Sequence, residues 1–238
     1  MAQVINTNVG ALFAGAALNK SAAGLQVAQE RLSSGLRINS SKDDATGLAI
    51  ATGYDSQIRG ANMNIRNAND GISAAQVNDG YLAQVTENTQ RLREIQVQTG
   101  AVTNEEATAL IAENTRISNL VTASTAVVVD ASGATAGGNG GTFTSATGFA
   151  DLAAFDTELT AISTARANFG ADMATLGSAV ASLQTASVNL SASYSRVMDT
   201  DYAAETTAQA KNNILQQAGT AVLAQANQTP QNVLTLLR

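Results

Sequence analysis

The chain has 238 residues, with 13 Lys+Arg against 19 Asp+Glu and a formal net charge of -6 at pH 7. That acidic balance argues against nucleic acid as a partner, since phosphate needs a basic face. His and Cys are absent, Trp is absent and aromatic residues make up 4%, which removes zinc and thiol chemistry and Ser-His-Asp triads and leaves little to wall a small-molecule pocket, so no enzyme, metal or cofactor is expected.

The first residues, Met1 to Asn8, lack the basic flank and apolar core of a cleaved signal. The expectation is a cytosolic chain, or one exported without signal cleavage. No run approaches the ~18 consecutive apolar residues of a membrane span, so no membrane insertion is expected. Ala11, Ala14, Leu18, Ser21, Leu25, Ala28 and Leu32 then follow a heptad with small seam residues. Asp43 and Asp44, after Lys42, read as charge at a helix N-terminus rather than as metal ligands.

A long helix is predicted from about 45 to 99. Ile58, Ile65 and Ile72 lie seven apart, with Ala61, Ala68 and Ala75 at the three-residue offset. The stripe resumes at Leu82, Val85, Leu92 and Ile95 after a break near Asp79, and Gly100 is placed as C-cap. Thr103 to Glu106 fits a capping box with Thr103 as N-cap, ahead of a short helix striped by Leu110, Asn114, Ile117 and Val121.

Val127 to Asp130 is β-branched. A glycine-rich run from Ser132 to Gly141 follows, then Thr142, Phe143 and Thr144. This reads as a β-hairpin with a long tip, or else as a flexible loop. The tip, residues 132–149, has no stripe to bury and is expected at the surface. It lacks the Gly-Lys-Ser/Thr of a phosphate loop. Leu159, Ile162, Arg166, Phe169, Met173, Leu176, Val180, Leu183, Ser187, Leu190, Tyr194 and Val197 then alternate steps of three and four, the seam of a coiled coil. Near the C-terminus, Ile214, Leu215, Ala218, Val222 and Ala226 form a second Ala-rich stripe, which Pro230 interrupts before Val233, Leu234, Leu236 and Leu237.

The predicted fold is mainly α, a long antiparallel helical bundle or coiled coil. It has paired terminal helices and a small β-hairpin region near 126–150. Residues 1–42 with 195–238 would form a terminal coiled-coil domain, and 43–194 a helical bundle. Alanine-lined arms bury little area, so they are expected to pair with each other and to order mainly against other molecules.

Several runs closely resemble bacterial flagellin. They are Gln29-Glu30-Arg31-Leu32-Ser33-Ser34-Gly35-Leu36-Arg37-Ile38-Asn39-Ser40 through Ala51, Gln57-Ile58-Arg59-Gly60, Asn67 to Ser73, and Gln90-Arg91-Leu92-Arg93-Glu94-Ile95. At the other end are Ile214 to Gly219, Gln225 to Gln228, Pro230 to Leu234, and Leu236-Leu237-Arg238. The resemblance covers roughly residues 1–125 and 185–238. It implies a structural subunit that self-assembles into the flagellar filament and leaves the cell through the flagellar type III system. The alternative is a hook–filament junction protein or another type III-secreted coiled-coil interaction protein. Implied partners are further copies of the chain, an export chaperone, the cap and hook-associated proteins, and a vertebrate Toll-like receptor. By resemblance, Gln90, Arg91, Ile95 and Glu113 would serve receptor recognition. Leu18, Leu25, Leu32, Leu215, Val222, Val233, Leu234, Leu236 and Leu237 are assigned to filament assembly. Thr135, Thr142, Thr144, Ser145 and Thr147 would be open to the O-glycosylation that some flagellins carry. The chain departs from the family in its very short middle, in residues 176–183, and in the small apolar run 9–17.

Overall fold

The computed structural model describes residues 7–129, 133–149 and 151–236, with side chains described as far as residue 228. Five helices, α1 (Val9–Ser34), α2 (Ala45–Thr99), α3 (Glu105–Ser118), α4 (Leu152–Met198) and α5 (Tyr202–Leu236), accompany one two-stranded antiparallel sheet of β1 (Val127–Val128) and β2 (Thr135–Ala136). At 1.5 Å per residue α2 is about 80 Å long and α4 about 70 Å. The chain divides into two compact units, Met1–Tyr54 with Ala192–Arg238, and Asp55–Ser191. Both α2 and α4 contribute to each.

In the terminal unit α1 packs along α5. Asn8 caps α1, its side-chain oxygen accepting from the Ala11 N–H at 3.0 Å, and its Nδ2 donates to the Ala226 carbonyl of α5 at 2.8 Å. Gly35 closes α1 at φ 73, a left-handed conformation that disfavours any side chain. The connectors then pair: Leu36 bridges Asp199, Arg37 N–H donates to the Met198 carbonyl at 2.6 Å, and Thr200 N–H to the Gly35 carbonyl at 3.0 Å. Ile38, Ala51 and Met198 bury themselves under this elbow, with Leu36, Leu48, Tyr194 and Val197 around them. Asp43 accepts from the Ser40 and Asn39 N–H groups and the Ser40 hydroxyl, and these bonds, the Ser40 N–H first, hold its carboxyl below the usual range. Asp44 accepts from the Gly47 N–H at 2.8 Å at the start of α2, the helix N-terminal role expected of this acidic pair.

The second unit packs α2, α3 and α4 around a shared core. Ala75, Leu82 and Val85 meet Ile117, Val121, Phe143, Ile162 and Phe169. Further along, Leu92 and Ile95 meet Ala107, Phe149 and Phe155, whose rings stack with centroids 4.2 Å apart. The break in the apolar stripe at Asp79 falls inside one continuous helix, as expected. Arg166, the one charge in the α4 seam, donates Nε to Asp79 Oδ1 at 2.7 Å, so the odd residue of each stripe answers the other. The Asp79 hydrogen bond raises the proton affinity of Arg166 further. Gly100, φ 74, closes α2.

Five expectations need correction. Asn104, not Thr103, caps α3, accepting from the Ala107 N–H at 2.8 Å, and Glu106 turns to Arg91 instead of back to the cap. The second strand is Thr135–Ala136, in register with Val128 and Val127, rather than residues 142–144. The glycine-rich tip is not a free surface loop. The buried Asp172 carboxylate accepts from the Ser124 hydroxyl, from the Asn139 N–H and Nδ2, and from the Gly140 N–H. Gly140 lies so close to Phe169 that a Cβ there would stand 2.3 Å from Cε1. Phe143, Ser145 and Phe149 are buried, and the Ser145 hydroxyl donates to Glu158 at 2.9 Å. Ser145 is therefore inaccessible to a glycan, whereas Thr135, Thr142, Thr144 and Thr147 are exposed. Helix α5 runs through Pro230 to Leu236, since one missing N–H removes a single bond from a 35-residue helix. Finally, α5 turns a different stripe toward α1, as set out next.

Candidate functional site: the outward faces of the terminal helices

The seam between α1 and α5 is made of small, amide and leucine side chains. From α1 come Ala14 and Ala28, buried, with Ala11, Leu18, Ser21, Leu25 and Leu32 half-buried, which is the expected heptad. From α5 come Ala208, Asn212, Gln216, Gly219, Leu223 and Ala226, all half-buried, at steps of three and four. Each helix sets a glycine against a larger neighbour. A Cβ on Gly24 would meet Asn212 Nδ2 at 2.9 Å, and one on Gly219 would meet Leu18 Cδ1 at 3.3 Å. Arg31 and Glu205 add an ion pair at 3.6 Å.

Of the expected α5 stripe, Ala226 lies in this seam and the other four residues point elsewhere. Ile214 is 65% exposed, Leu215 44% and Val222 56%. On α1, Leu12 and Phe13 are equally open, Phe13 at 78%. An apolar groove of about 290 Å³ runs between the two helices, lined by Phe13, Ala17 and Leu18 on one side and Leu215, Ala218 and Val222 on the other. Isolated exposed apolar residues need no explanation, but a contiguous strip on paired helices marks an interaction surface. The assembly residues thus divide. Leu18, Leu25 and Leu32 belong partly to the intrachain seam, and Leu215 and Val222 face outward. Val233, Leu234 and Leu236 lie on the α5 backbone without described side chains, and Leu237 lies outside the described residues. Sequence reasoning missed Leu12, Phe13 and Ile214 as outward residues. The usable signal was the second heptad of α5, mostly small and polar, running through Ala208, Asn212, Gln216 and Gly219 and joining the expected stripe at Ala226.

The four residues assigned to receptor recognition do not form one cluster. Gln90 is exposed. Arg91 is exposed and held by two carboxylates, Glu106 at 2.7 Å and Glu94 at 3.1 Å, which raise its proton affinity, Glu106 most. Glu106 is in turn held below the usual carboxylate range by Arg91. Ile95 is 2% exposed in the core. Glu113 pairs with Arg116 at 2.6 Å, which lowers its pKa, and not with Arg91. Next to it Asn114, at an apolar stripe position, is fully buried. It accepts from Asn88 Nδ2 at 2.8 Å and donates to the Thr89 hydroxyl at 3.3 Å. Among the described residues no three His, Cys, Asp or Glu side chains gather as a metal site, and no helix is long and apolar enough to cross a membrane.

Comparison with known proteins bears on the same two regions. Residues 5–135 match the bacterial flagellin N-terminal helical region, and residues 152–237 the bacterial flagellin C-terminal helical region. The chain is 36% identical over 285 residues to the flagellar filament 33 kDa core protein of Treponema phagedenis, covering 99% of this chain and 100% of that one. It is 36% identical over 275 residues to flagellin of Halalkalibacterium halodurans, with the same shares. Against flagellin of Escherichia coli it is 52% identical over 107 residues, which are 45% of this chain and 22% of that protein.

Proposed function

The chain belongs to the bacterial flagellin family and is a structural subunit of the flagellar filament, and we propose that it assembles by packing the outward apolar faces of α1 and α5 against other copies. The observation that carries this is the reversal on α5. Three of its large aliphatic residues, Ile214, Leu215 and Val222, are exposed instead of turned into the α1 seam, where Leu223 sits. A monomer gains nothing by exposing them, whereas a polymer buries them at roughly 25 cal/mol per Å² of apolar surface. The filament-assembly set is thus Leu215 and Val222 directly, with Leu18, Leu25 and Leu32 shaping the seam that presents them. Val233, Leu234, Leu236 and Leu237 complete it as an apolar C-terminal tail.

The test is polymerisation of a Leu215→Ser, Val222→Ser double variant, followed by sedimentation and negative-stain microscopy. The variant should keep its monomer helicity by circular dichroism and form no long tubes. Normal filaments from it would overturn the proposal. A junction protein, unlike a filament subunit, would yield no long tubes even from the unaltered chain.

The terminal unit would form the inner filament core and the 55–191 unit the outer part. We propose export through the flagellar apparatus to the outside of the cell, with help from a chaperone and from the cap and hook-associated proteins, a reading that family membership supports. Thin burial in the terminal arms supports it, since a channel-borne chain must unfold cheaply. For a Toll-like receptor, the contact residue would be Arg91, exposed and pre-oriented by Glu94 and Glu106, with Gln90 beside it. Ile95 would act by holding α2 in place from the core, and Glu113 through its pair with Arg116.

A further inference from the structure

We infer that Asn139-Gly140 is a site of spontaneous deamidation that the folded chain holds shut through Asp172. An asparagine followed by glycine is the most reactive dipeptide for this chemistry, because no side chain shields the next amide nitrogen. The Gly140 nitrogen loses its proton to hydroxide and attacks Asn139 Cγ. The C–N bond to the side-chain amide breaks, ammonia leaves carrying the proton, and a five-membered succinimide remains. Water then opens either carbonyl of the ring to give aspartate or isoaspartate. The co-reactant is solvent alone.

Both the attacking nitrogen and the leaving amide are tied in the fold. The Gly140 N–H, the nucleophile, donates to Ser124 Oγ at 2.9 Å and to Asp172 Oδ2 at 2.9 Å. A nitrogen held as a donor to a carboxylate neither gives up its proton nor turns toward Cγ. The leaving amide donates Nδ2 to Asp172 Oδ1 at 2.6 Å, and the Asn139 N–H reaches the same carboxylate at 3.0 Å. The Gly140 carbonyl accepts from the Ser124 N–H at 2.7 Å, which fixes the peptide from its other side. Asn139 itself is exposed while Gly140 is buried. Water therefore reaches the side chain, and protection rests on the hydrogen bonds together with burial of the Gly140 nitrogen. Burial opposes ionisation of Asp172, but the bonds from Ser124, Gly140 and Asn139 outweigh it and hold the carboxyl below its ordinary range, so the clasp is charged at neutral pH.

The product cannot re-enter the clasp. An aspartate at 139 would set a second carboxylate where the amide now donates, with acceptors facing acceptors and like charges in contact. A chain deamidated while unfolded is thereby marked, because its glycine-rich segment cannot dock on α4. Modification at this dipeptide therefore requires the clasp to open locally.

The experiment is to hold the full-length chain at mildly alkaline pH, native and in urea. Conversion at Asn139 is followed by peptide mass spectrometry, as the mass gain of an amide-to-acid change and by isoaspartate-specific methylation. The native chain should retain Asn139 while the urea-unfolded chain converts it. Asp172→Asn should raise the native rate about tenfold or more, since the rate follows the population of locally opened chain. If Asp172→Asn does not fold, Ser124→Ala keeps the carboxylate, removes one bond and should raise the rate to a smaller extent. Equal rates for native and unfolded wild type would overturn the inference. So would a folded Asp172→Asn, or a Ser124→Ala, that converts no faster than wild type.

Discussion

Replacing Asn114 by alanine should destabilise the 55–191 unit by about 2–4 kcal/mol. Asn114 is fully buried on α3, accepts from Asn88 Nδ2 at 2.8 Å and donates to the Thr89 hydroxyl at 3.3 Å. Alanine removes both partners from groups that stay buried on α2. The Thr89 hydroxyl can turn to a carbonyl of its own helix, so the stranded group is chiefly the Asn88 amide, at roughly 1–3 kcal/mol. The small void left by the amide adds about 1 kcal/mol. Asn88→Ala should cost less, because the Asn88 oxygen accepts only a 3.3 Å bond from Gln84. The double variant should fall short of the sum by about 1–2 kcal/mol, the coupling expected of residues in one network. Urea unfolding of monomer followed at 222 nm measures all four states. An unchanged midpoint for Asn114→Ala, or strict additivity, would refute the reasoning.

Three further outcomes follow from the same contacts. Asp172 titrates below its ordinary value, so the stability it supplies is fully present above the unfolded carboxylate pKa near ~4 and is lost as pH falls through the lower folded value; acid unfolding of Asp172→Asn monomer should show a shallower pH dependence there than wild type. Hydrogen exchange on monomer should be fast across residues 9–30 and 212–226, where only Ala14 and Ala28 are buried, and slow once filaments form; strong protection in monomer would contradict this. In a receptor reporter assay on monomer, Arg91→Ala should lose more signal than Glu113→Ala with its helicity unchanged, and equal signalling by wild type and Arg91→Ala would remove the assigned role.

What the sequence made legible is what repeats locally. The α4 seam from Leu159 to Val197 and the isoleucine and alanine ladder of α2 read directly because each follows one helical period. Gly100 was legible because a left-handed residue at a helix end favours glycine. Three features had no such local signature. The docking of residues 137–149 depends on Asp172, 33 residues away from Asn139, at a position between the seam residues Phe169 and Met173. On α5 two stripes share the same spacing. Hydrophobicity picks out Ile214, Leu215 and Val222, which are exposed in the single chain, and passes over the stripe that meets α1. At α3, Thr103 and Asn104 are both competent caps, and the choice goes to asparagine once Arg91 occupies Glu106.

The reversed stripe on α5 is the centre of the account, and electron cryomicroscopy of filaments reassembled from the purified chain tests it most directly. Ile214, Leu215 and Val222, exposed in the single chain, should be buried against a neighbouring subunit, with Ala208, Asn212 and Gly219 still facing α1. A filament in which these three apolar residues remain open to solvent, or in which α5 has rotated to turn them into the α1 seam, would contradict it.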